Sequence, residues 1–403
     1  MRRRVKITGI GPVTPAGIGR EEFFRGINEP VSRVRAITRF DPDAGAFLGA
    51  EIANFNLRQY AAEENPRRLS RHTQFGLVGA MLALKDAGLA TEELGALNPI
   101  IVTGTSIMDI DKISHGVQVV AKKGARYSLA STIFETSVVN VPGKIAAHLG
   151  VAVRMFALQS SCCSGLDAIG QAAELVASGQ TELAITGGSE SPLSFHPLLE
   201  FNSAELNPTN SELPEKSCRP FDLWRSTGVI GEGAGILILE PEESPRPALA
   251  WISGYGYAND PDRRAGSGIA EAMASALANA CLRPQNVGYI NAWGPGHRSI
   301  DANEAHALKR IFGNVLPEIP VVSIKGAIGT PLGASGAIQT ISAVLSLHES
   351  LLPPTVNWET PDPNCLLNLS GQSRRLHAQV AIVNAHGLSG SNASLVLEKT
   401  CPN

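Results

Sequence analysis

Three observations predict an α/β fold with largely parallel, covered sheets. Short apolar runs alternate with longer segments of helical period along the 403 residues. Apolar residues make up 43% of the chain and charged residues 18%, enough apolar material for a large buried core. The second half repeats the alternation of the first. Ala184-Ile185-Thr186-Gly187-Gly188 leads to a strand ending Leu237-Ile238-Leu239-Glu240, and Ala381-Ile382-Val383-Asn384 leads to Leu395-Val396-Leu397-Glu398. No Pro/Ser-rich linker separates the halves, so two similar units fused into one core are expected.

In chain order, residues 5–10 read as a strand ending at Gly9 and Gly11. Residues 75–84 carry Phe75, Val78, Met81 and Leu82 at helical spacing, with Gly88 as the C-terminal cap. Strands follow at 100–102 and 154–158, then a turn and a helix with Leu166, Ile169, Ala173 and Val176 on one face. Strands at 183–185 and 235–239 complete the first half. In the second half, 250–253 and 289–291 are strands, and 304–312 is a helix with Leu308, Ile311 and Phe312 inward. Residues 321–324 form a strand, and the nearly all-apolar helix at 337–347 must be buried on most sides. Strands at 380–383 and 393–397 finish the chain.

Lys+Arg 34 against Asp+Glu 37 leave a net charge of −3, with no basic run beyond Arg2-Arg3-Arg4, which argues against nucleic acid as a partner. No apolar run reaches the ~18 residues of a membrane span. Val5-Lys6-Ile7-Thr8-Gly9 is too short and polar for a signal peptide, so the chain reads as cytoplasmic, with no membrane partner. The cysteines at 162, 163, 218, 281, 365 and 401 contain no Cys-x-x-Cys pair, so no metal site is expected and most should be small buried hydrophobes.

The most informative stretch is Arg154-Met155-Phe156-Ala157-Leu158-Gln159-Ser160-Ser161-Cys162-Cys163-Ser164-Gly165. An apolar strand runs through small residues directly into a helix. A cysteine at that turn lies at a helix N-terminus, where unpaired N–H groups and the dipole favour its thiolate. A buried cysteine pair packing a strand end is the alternative.

The stretch resembles the nucleophile region of the β-ketoacyl-acyl-carrier-protein synthases, condensing enzymes of fatty-acid and polyketide synthesis. The resemblance spans nearly the whole chain. It includes Val5-Lys6-Ile7-Thr8-Gly9-Ile10-Gly11, Cys218-Arg219-Pro220-Phe221-Asp222, Gly231-Glu232-Gly233-Ala234-Gly235, Leu352-Pro353-Pro354-Thr355-Val356-Asn357 and the loop from Asn384 to Asn392. It implies a thiolase-like five-layered α-β-α-β-α fold of two fused, pseudo-duplicated halves, taken as 1–245 with the nucleophile and 246–403 with the remaining site loops. A dimer is implied, as a homodimer or a heterodimer with a ketosynthase homologue. So is an acyl-carrier protein that delivers substrate on phosphopantetheine, with no cofactor bound to the chain itself. By resemblance the acyl-accepting cysteine is Cys162, fixed by Gly165. The backbone amide of Leu388 would pair with that of Cys162 as an oxyanion hole.

The resemblance also implies departures. Two histidines of elongating relatives fall on Trp293, in Asn291-Ala292-Trp293-Gly294, and on Thr330, five residues after Lys325. Indole N–H donates one hydrogen bond but takes no proton, and a Thr hydroxyl is a poor acid or base near neutrality. Losing such donors costs about 10²–10³ each, so decarboxylative elongation should be severely impaired. Lys325 and Glu304 are kept and are expected to pair beneath the site; for Glu304 a structural ion pair is the alternative. The pantetheine-contacting segment reads Gly294-Pro295-Gly296-His297, and an aromatic position becomes Gly228. The gating aromatic becomes Leu388, and the residue two before it is His386. His386 supplies an imidazole to Cys162 from a new direction, or fills a phenylalanine-sized space. His297 touches the pantetheine arm, or is an exposed loop histidine.

Three functions follow from these expectations: an acyltransferase working through a Cys162 thioester without ordinary elongation; a chain-length-factor-like partner of a catalytic ketosynthase; and an elongating synthase with His386 as relocated base. Degradative thiolases share the architecture, but the Arg-Pro-Phe-Asp and Gly-Glu-Gly-Ala-Gly segments favour the synthases.

Overall fold

The computed structural model describes residues 2–39, 47–108, 110–128, 130–209, 211–261 and 266–400. Ten strands form the principal path of the main sheet: β1 (Val5–Thr14), β2 (Ile100–Gly104), β3 (Arg154–Leu158), β4 (Ala184–Glu190), β5 (Gly233–Pro241), β6 (Ala250–Asn259), β7 (Tyr289–Asn291), β8 (Val321–Val322), β9 (Val380–His386) and β10 (Ser391–Lys399). Their order is β8-β7-β9-β10-β6-β1-β5-β4-β2-β3. Adding five to each strand number of the β1-to-β3 half generates the β6-to-β8 half. Directions repeat as well: β2 is parallel to β3 and β4, as β7 is to β8 and β9, and the remaining pairs are antiparallel. The halves meet where Val5–Ile7 pairs antiparallel with residues 250–252.

Six helices complete five layers: α1 (Arg71–Asp86), α2 (Asn140–Leu149), α3 (Ser164–Ala177), α4 (Ile269–Asn279), α5 (Arg298–Phe312) and α6 (Ser335–Glu349). α1 covers the outer face of the first half-sheet, with α2 against it, while α4 covers the second, with α5 against it. α3 and α6 lie between the halves and touch strands of both. Ser335 through Leu347 are all buried, which is why the α6 segment reads as apolar on every side. The central helices approach closely because small residues face each other. A Cβ on Gly336 would sit 2.6 Å from Leu166 Cβ, and one on Gly165 would sit 2.6 Å from Gly333 O.

The thiolase-like fold expected from the sequence is therefore present, with shifted element edges. The helix expected at 304–312 begins at Arg298, and the strand expected at 321–324 ends at Val322 because Ser323 turns to bond the 293–296 loop. Cys162, Cys163, Cys218 and Cys365 are buried, whereas Cys281 is exposed and Cys401 lies outside the described residues. Among the described residues, no helix is long and apolar enough to cross a membrane.

Candidate active site

Cys162 sits between the end of β3 and the start of α3. Ser161 adopts φ +58°, a conformation costly for a residue with a Cβ, and this sharp turn presents the Cys162 side chain at the helix N-terminus. The turn is braced. Ser160 N donates to Ser164 Oγ at 2.9 Å, Ser164 N to Ser161 O at 3.1 Å, and Ser391 Oγ to Ser160 O at 2.8 Å. Cys163 is fully buried with its thiol toward Ser391 O, so of the two cysteines Cys162 is the one facing the cavity.

The expected thiolate is corrected by the surroundings. Burial pushes the Cys162 thiol up to about 11, and the Glu190 carboxylate adds to the rise. The Ser161 and Ser106 side chains and the Leu388 N–H act in the other direction without overcoming it. A thiolate at this depth loses more hydration than the helix terminus returns. The resting group is a thiol.

Gly387 and Leu388 lie against the nucleophile. A Cβ added at Gly387 would be 2.8 Å from Ser161 Cβ and 3.2 Å from Cys162 N, so only glycine lets the two backbones touch. Leu388 follows with its side chain 49% exposed at the cavity mouth.

His386 ends β9 and is 1% exposed. Its Nδ1 is 2.9 Å from Asn392 Oδ1. Asn392 uses Nδ2 to donate to Asp260 Oδ1 at 2.8 Å, so its Oδ1 faces the ring and His386 Nδ1 carries the proton. That leaves Nε2 as an acceptor, buried and with no hydrogen-bond partner, on a residue that shares a cavity with Cys162. Burial lowers the imidazole's pKa, so the ring is neutral.

The same cavity brings together Cys162, Gly228, Trp293, His297, Thr330, His386 and Leu388 from segments scattered over the chain. Thr330 Oγ1 is buried without a partner. His297 caps α5, is half-buried, and faces the cavity, which replaces the reading of an exposed loop histidine. Its imidazole pKa is lowered by burial and by the Arg225 charge.

Lys325 and Glu304 lie behind this wall, and the direct pair expected between them is not made. Lys325 Nζ donates to Gln339 Oε1 at 2.7 Å and sits 4.0 Å from the centroid of the Trp293 ring. Burial lowers its pKa to about 7. Glu304 instead accepts from Trp293 N at 2.9 Å, Gly294 N at 2.8 Å and Asn384 Nδ2 at 3.2 Å. Burial raises its pKa, against those hydrogen bonds and the Lys325 charge. Glu304 thus holds the loop that carries Trp293, while Lys325 holds the indole face.

Several residues around the site escaped the sequence reading. Asp301, one helical turn before Glu304, accepts from Phe221 N at 2.7 Å and Gly296 N at 3.1 Å. Glu190 ties the Thr105–Ser106 segment to Gly333. Asn392 orients His386, and Gln339 links Lys325 to β7 and β9 through Asn291, Ala292 O and Asn384 O. Asp301 and Glu304 were legible as two acids at i, i+3 on one helix face; Gln339, inside an apolar helix, was the other available signal.

The architecture is that of the thiolase-like ketosynthases. Residues 2–244 match the β-ketoacyl synthase N-terminal domain and residues 249–359 match the C-terminal domain; the chain belongs to the β-ketoacyl synthase family. It is 33% identical over 409 residues to 3-oxoacyl-[acyl-carrier-protein] synthase 2 of Synechocystis sp. (strain ATCC 27184 / PCC 6803 / Kazusa), covering 99% of this chain and 98% of that protein. The ishigamide ketosynthase/chain length factor superposes with a TM-score of 0.92 at 26% identity, over 100% of both chains. A type II polyketide synthase acyl-carrier protein in complex with its ketosynthase includes a chain that superposes with a TM-score of 0.90 at 26% identity, over 99% of this chain and 100% of that one. The chain thus belongs with fatty-acid and polyketide biosynthesis.

Proposed function

We propose that this chain is an acyltransferase that loads an acyl group onto Cys162 from the phosphopantetheine thioester of an acyl-carrier protein, and passes it on without ordinary decarboxylative elongation. The composition of one cavity carries the reading. It holds a thiol, one imidazole nitrogen with a free lone pair and a nearby N–H, with indole and hydroxyl where the family resemblance puts two imidazoles. His386 Nε2 takes the proton of the Cys162 S–H as sulfur attacks the thioester carbonyl. The N–H groups of Cys162 and Leu388 hold the oxyanion of the tetrahedral intermediate. Collapse re-forms C=O, breaks the bond to the pantetheine sulfur and returns the proton from His386 to that sulfur. Thiol and imidazole are both neutral at rest, so proton transfer accompanies attack rather than preceding it.

Incubation with acetyl-loaded carrier protein should give an acyl mass increment on the wild type and none on Cys162→Ala. Malonyl-loaded carrier protein should release no carbon dioxide; release that survives Trp293→Ala and is lost in His386→Ala favours elongation instead.

A second reading, a partner subunit of a catalytic ketosynthase, draws on apolar groups left exposed in the first half, which a second chain of either kind would cover. β3 is an open sheet edge on which Met155 is 43% exposed. Ile133 and Phe134, which precede α2, are 74% and 72% exposed. Unpaired N–H and C=O groups beside exposed apolar side chains make a template for another strand. A heterodimer with a ketosynthase homologue that elongates equally well with Cys162→Ala supports this reading; a homodimer that acylates Cys162 supports the first.

A further inference from the structure

We propose that Asn392 and Asp260 are positioning residues for His386: the Asn392 amide fixes the ring in its Nδ1–H tautomer, and the Asp260 carboxylate offsets the positive charge the ring gains when Nε2 takes the Cys162 proton. The proposal rests on the acyl-transfer reading and names the groups that make His386 a base. Three strand ends build the arrangement. β9 ends at His386, β10 opens at Ser391, and β6 ends at Asn259. His386 and Asn392 are antiparallel partners across β9 and β10, which brings their side chains together, and Asn392 faces Ala258 on β6. Asp260 follows directly, tied to the β10 side by its N–H donating to Gly390 O at 2.7 Å.

The contacts leave one assignment. Asn392 is 1% exposed, and its Nδ2 lies 2.8 Å from Asp260 Oδ1, 3.3 Å from Gly390 O and 3.4 Å from Ala258 O. All three are acceptors, so the amide nitrogen points at them and Oδ1 is left for His386 Nδ1 at 2.9 Å. Asp260 is fixed in turn. Its side chain is 4% exposed; Oδ1 also accepts from Gly268 N at 2.8 Å and Oδ2 from Gly266 N at 3.0 Å. A Cβ on Gly268 would sit 2.7 Å from Asn392 Nδ2, so this glycine admits the amide. Asp260 Oδ2 stands 4.0 Å from His386 Nδ1, beyond a hydrogen bond but within reach of its charge. Burial lowers the pKa of the ring, and the Asn392 hydrogen bond, the Asp260 charge and the Ser391 backbone act against it, in that order. A neutral amide beside the ring thus decides which nitrogen holds the resting proton, and the carboxylate behind it favours the imidazolium. During attack the Cys162 proton moves to Nε2, Nδ1 keeps its own, and the ring returns the first proton to the leaving sulfur. Asn392 and Asp260 neither gain nor lose one.

Two measurements on the full-length protein separate this proposal from the reading beneath it. The first is a pair of double-mutant cycles, read on the rate of Cys162 acylation at saturating acetyl-loaded carrier protein. Asn392→Ala and Asp260→Asn are each expected to slow acylation about tenfold or more in the wild type, and to add nothing once His386→Phe is present, because each acts through the ring. Asn392→Asp, which keeps an acceptor for Nδ1–H, is expected to recover most of what Asn392→Ala loses. The second measurement needs no acylation: NMR of nitrogen-labelled histidine, with His386 assigned by the signal missing from His386→Phe. Wild type and Asn392→Asp should show the ring protonated on Nδ1, and Asn392→Ala a mixture of tautomers. A wild-type ring protonated on Nε2, or a tautomer unchanged in Asn392→Ala, overturns the proposal. Equal slowing with and without His386→Phe makes the two residues part of the scaffold and overturns the proposal while leaving acyl transfer intact. No acyl adduct on the wild type overturns the acyl-transfer reading, and the NMR result then decides whether Asn392 sets the tautomer.

Discussion

In the proposed acyl transfer the sulfur of Cys162 becomes nucleophilic, yet its burial keeps its proton on. Burial and the Glu190 carboxylate hold the Cys162 thiol near 11, and the unpartnered His386 nitrogen belongs to a residue lining the same cavity. The thiolate fraction therefore grows about tenfold per pH unit through neutrality. Alkylation of Cys162 by iodoacetamide should climb without a plateau from pH 7 to 9; a plateau in that window contradicts a thiol held up by burial. His386→Phe tests whether the ring is more than a filler. It keeps the volume, leaves Asn392 Oδ1 unpaired, and should slow acylation about 10²-fold or more. Acylation at the wild-type rate would leave the imidazole only a packing role.

The duplication reaches individual bonds within the strands. β1 reads Ile7-Thr8-Gly9-Ile10-Gly11 and β6 reads Ile252-Ser253-Gly254-Tyr255-Gly256. In each, the register slips at the hydroxyl residue, between Ile7 and Gly9 in one and opposite Val396 and Leu397 in the other. Thr8 Oγ1 donates to Glu240 and Ser253 Oγ to Glu398, the acids near the ends of β5 and β10. The glycines that follow admit a helix backbone. A Cβ on Gly9 would meet Ala83 O of α1 at 2.2 Å, and one on Gly254 would meet Ala276 O of α4 at 2.1 Å. Gly9→Ala and Gly254→Ala should each destabilise the fold by about 1–3 kcal/mol, read as a lower urea midpoint, because backbone rather than a flexible side chain stands in the way. The correspondence was legible in the sequence as a repeated Ile-x-Gly-x-Gly. The slip in register was not, since it depends on which strand lies alongside.

Across the whole molecule, folding confines three ionisable groups that water would otherwise charge freely. Burial raises Glu190 and Asp301 to about 7 and lowers Lys325 to about 7. Between their ordinary carboxylate range and about 7 the folded acids hold protons that the unfolded chain has lost, so their contribution to stability falls as pH rises through that window. Lys325 acts in the opposite sense. Above about 7 the unfolded amine binds more protons than the folded one, up to its ordinary 10.5, so stability from this group grows with pH in that range. The buried acids and the buried Cys162 and Cys218 thiols act in the other direction over this range, so the contribution of Lys325 is read as a difference. Urea unfolding should show the stability of the wild type relative to Lys325→Met rising between pH 7 and 9. A difference that stays constant would show that Lys325 contributes nothing to the pH dependence.

The linear order of residues was enough to establish the alternation, the doubling, the all-round burial of α6 and the turn that carries Cys162, because each is a local pattern of polarity, size and glycine. It also marked 293, 330, 386 and 388 as positions that converge, through resemblance to a family. Three-dimensional packing alone decided the protonation of Cys162, the tautomer of His386 and the separation of Lys325 from Glu304. Each of these depends on which groups from distant segments exclude water from one another, and solvation is a property of the assembled neighbourhood rather than of any stretch of chain.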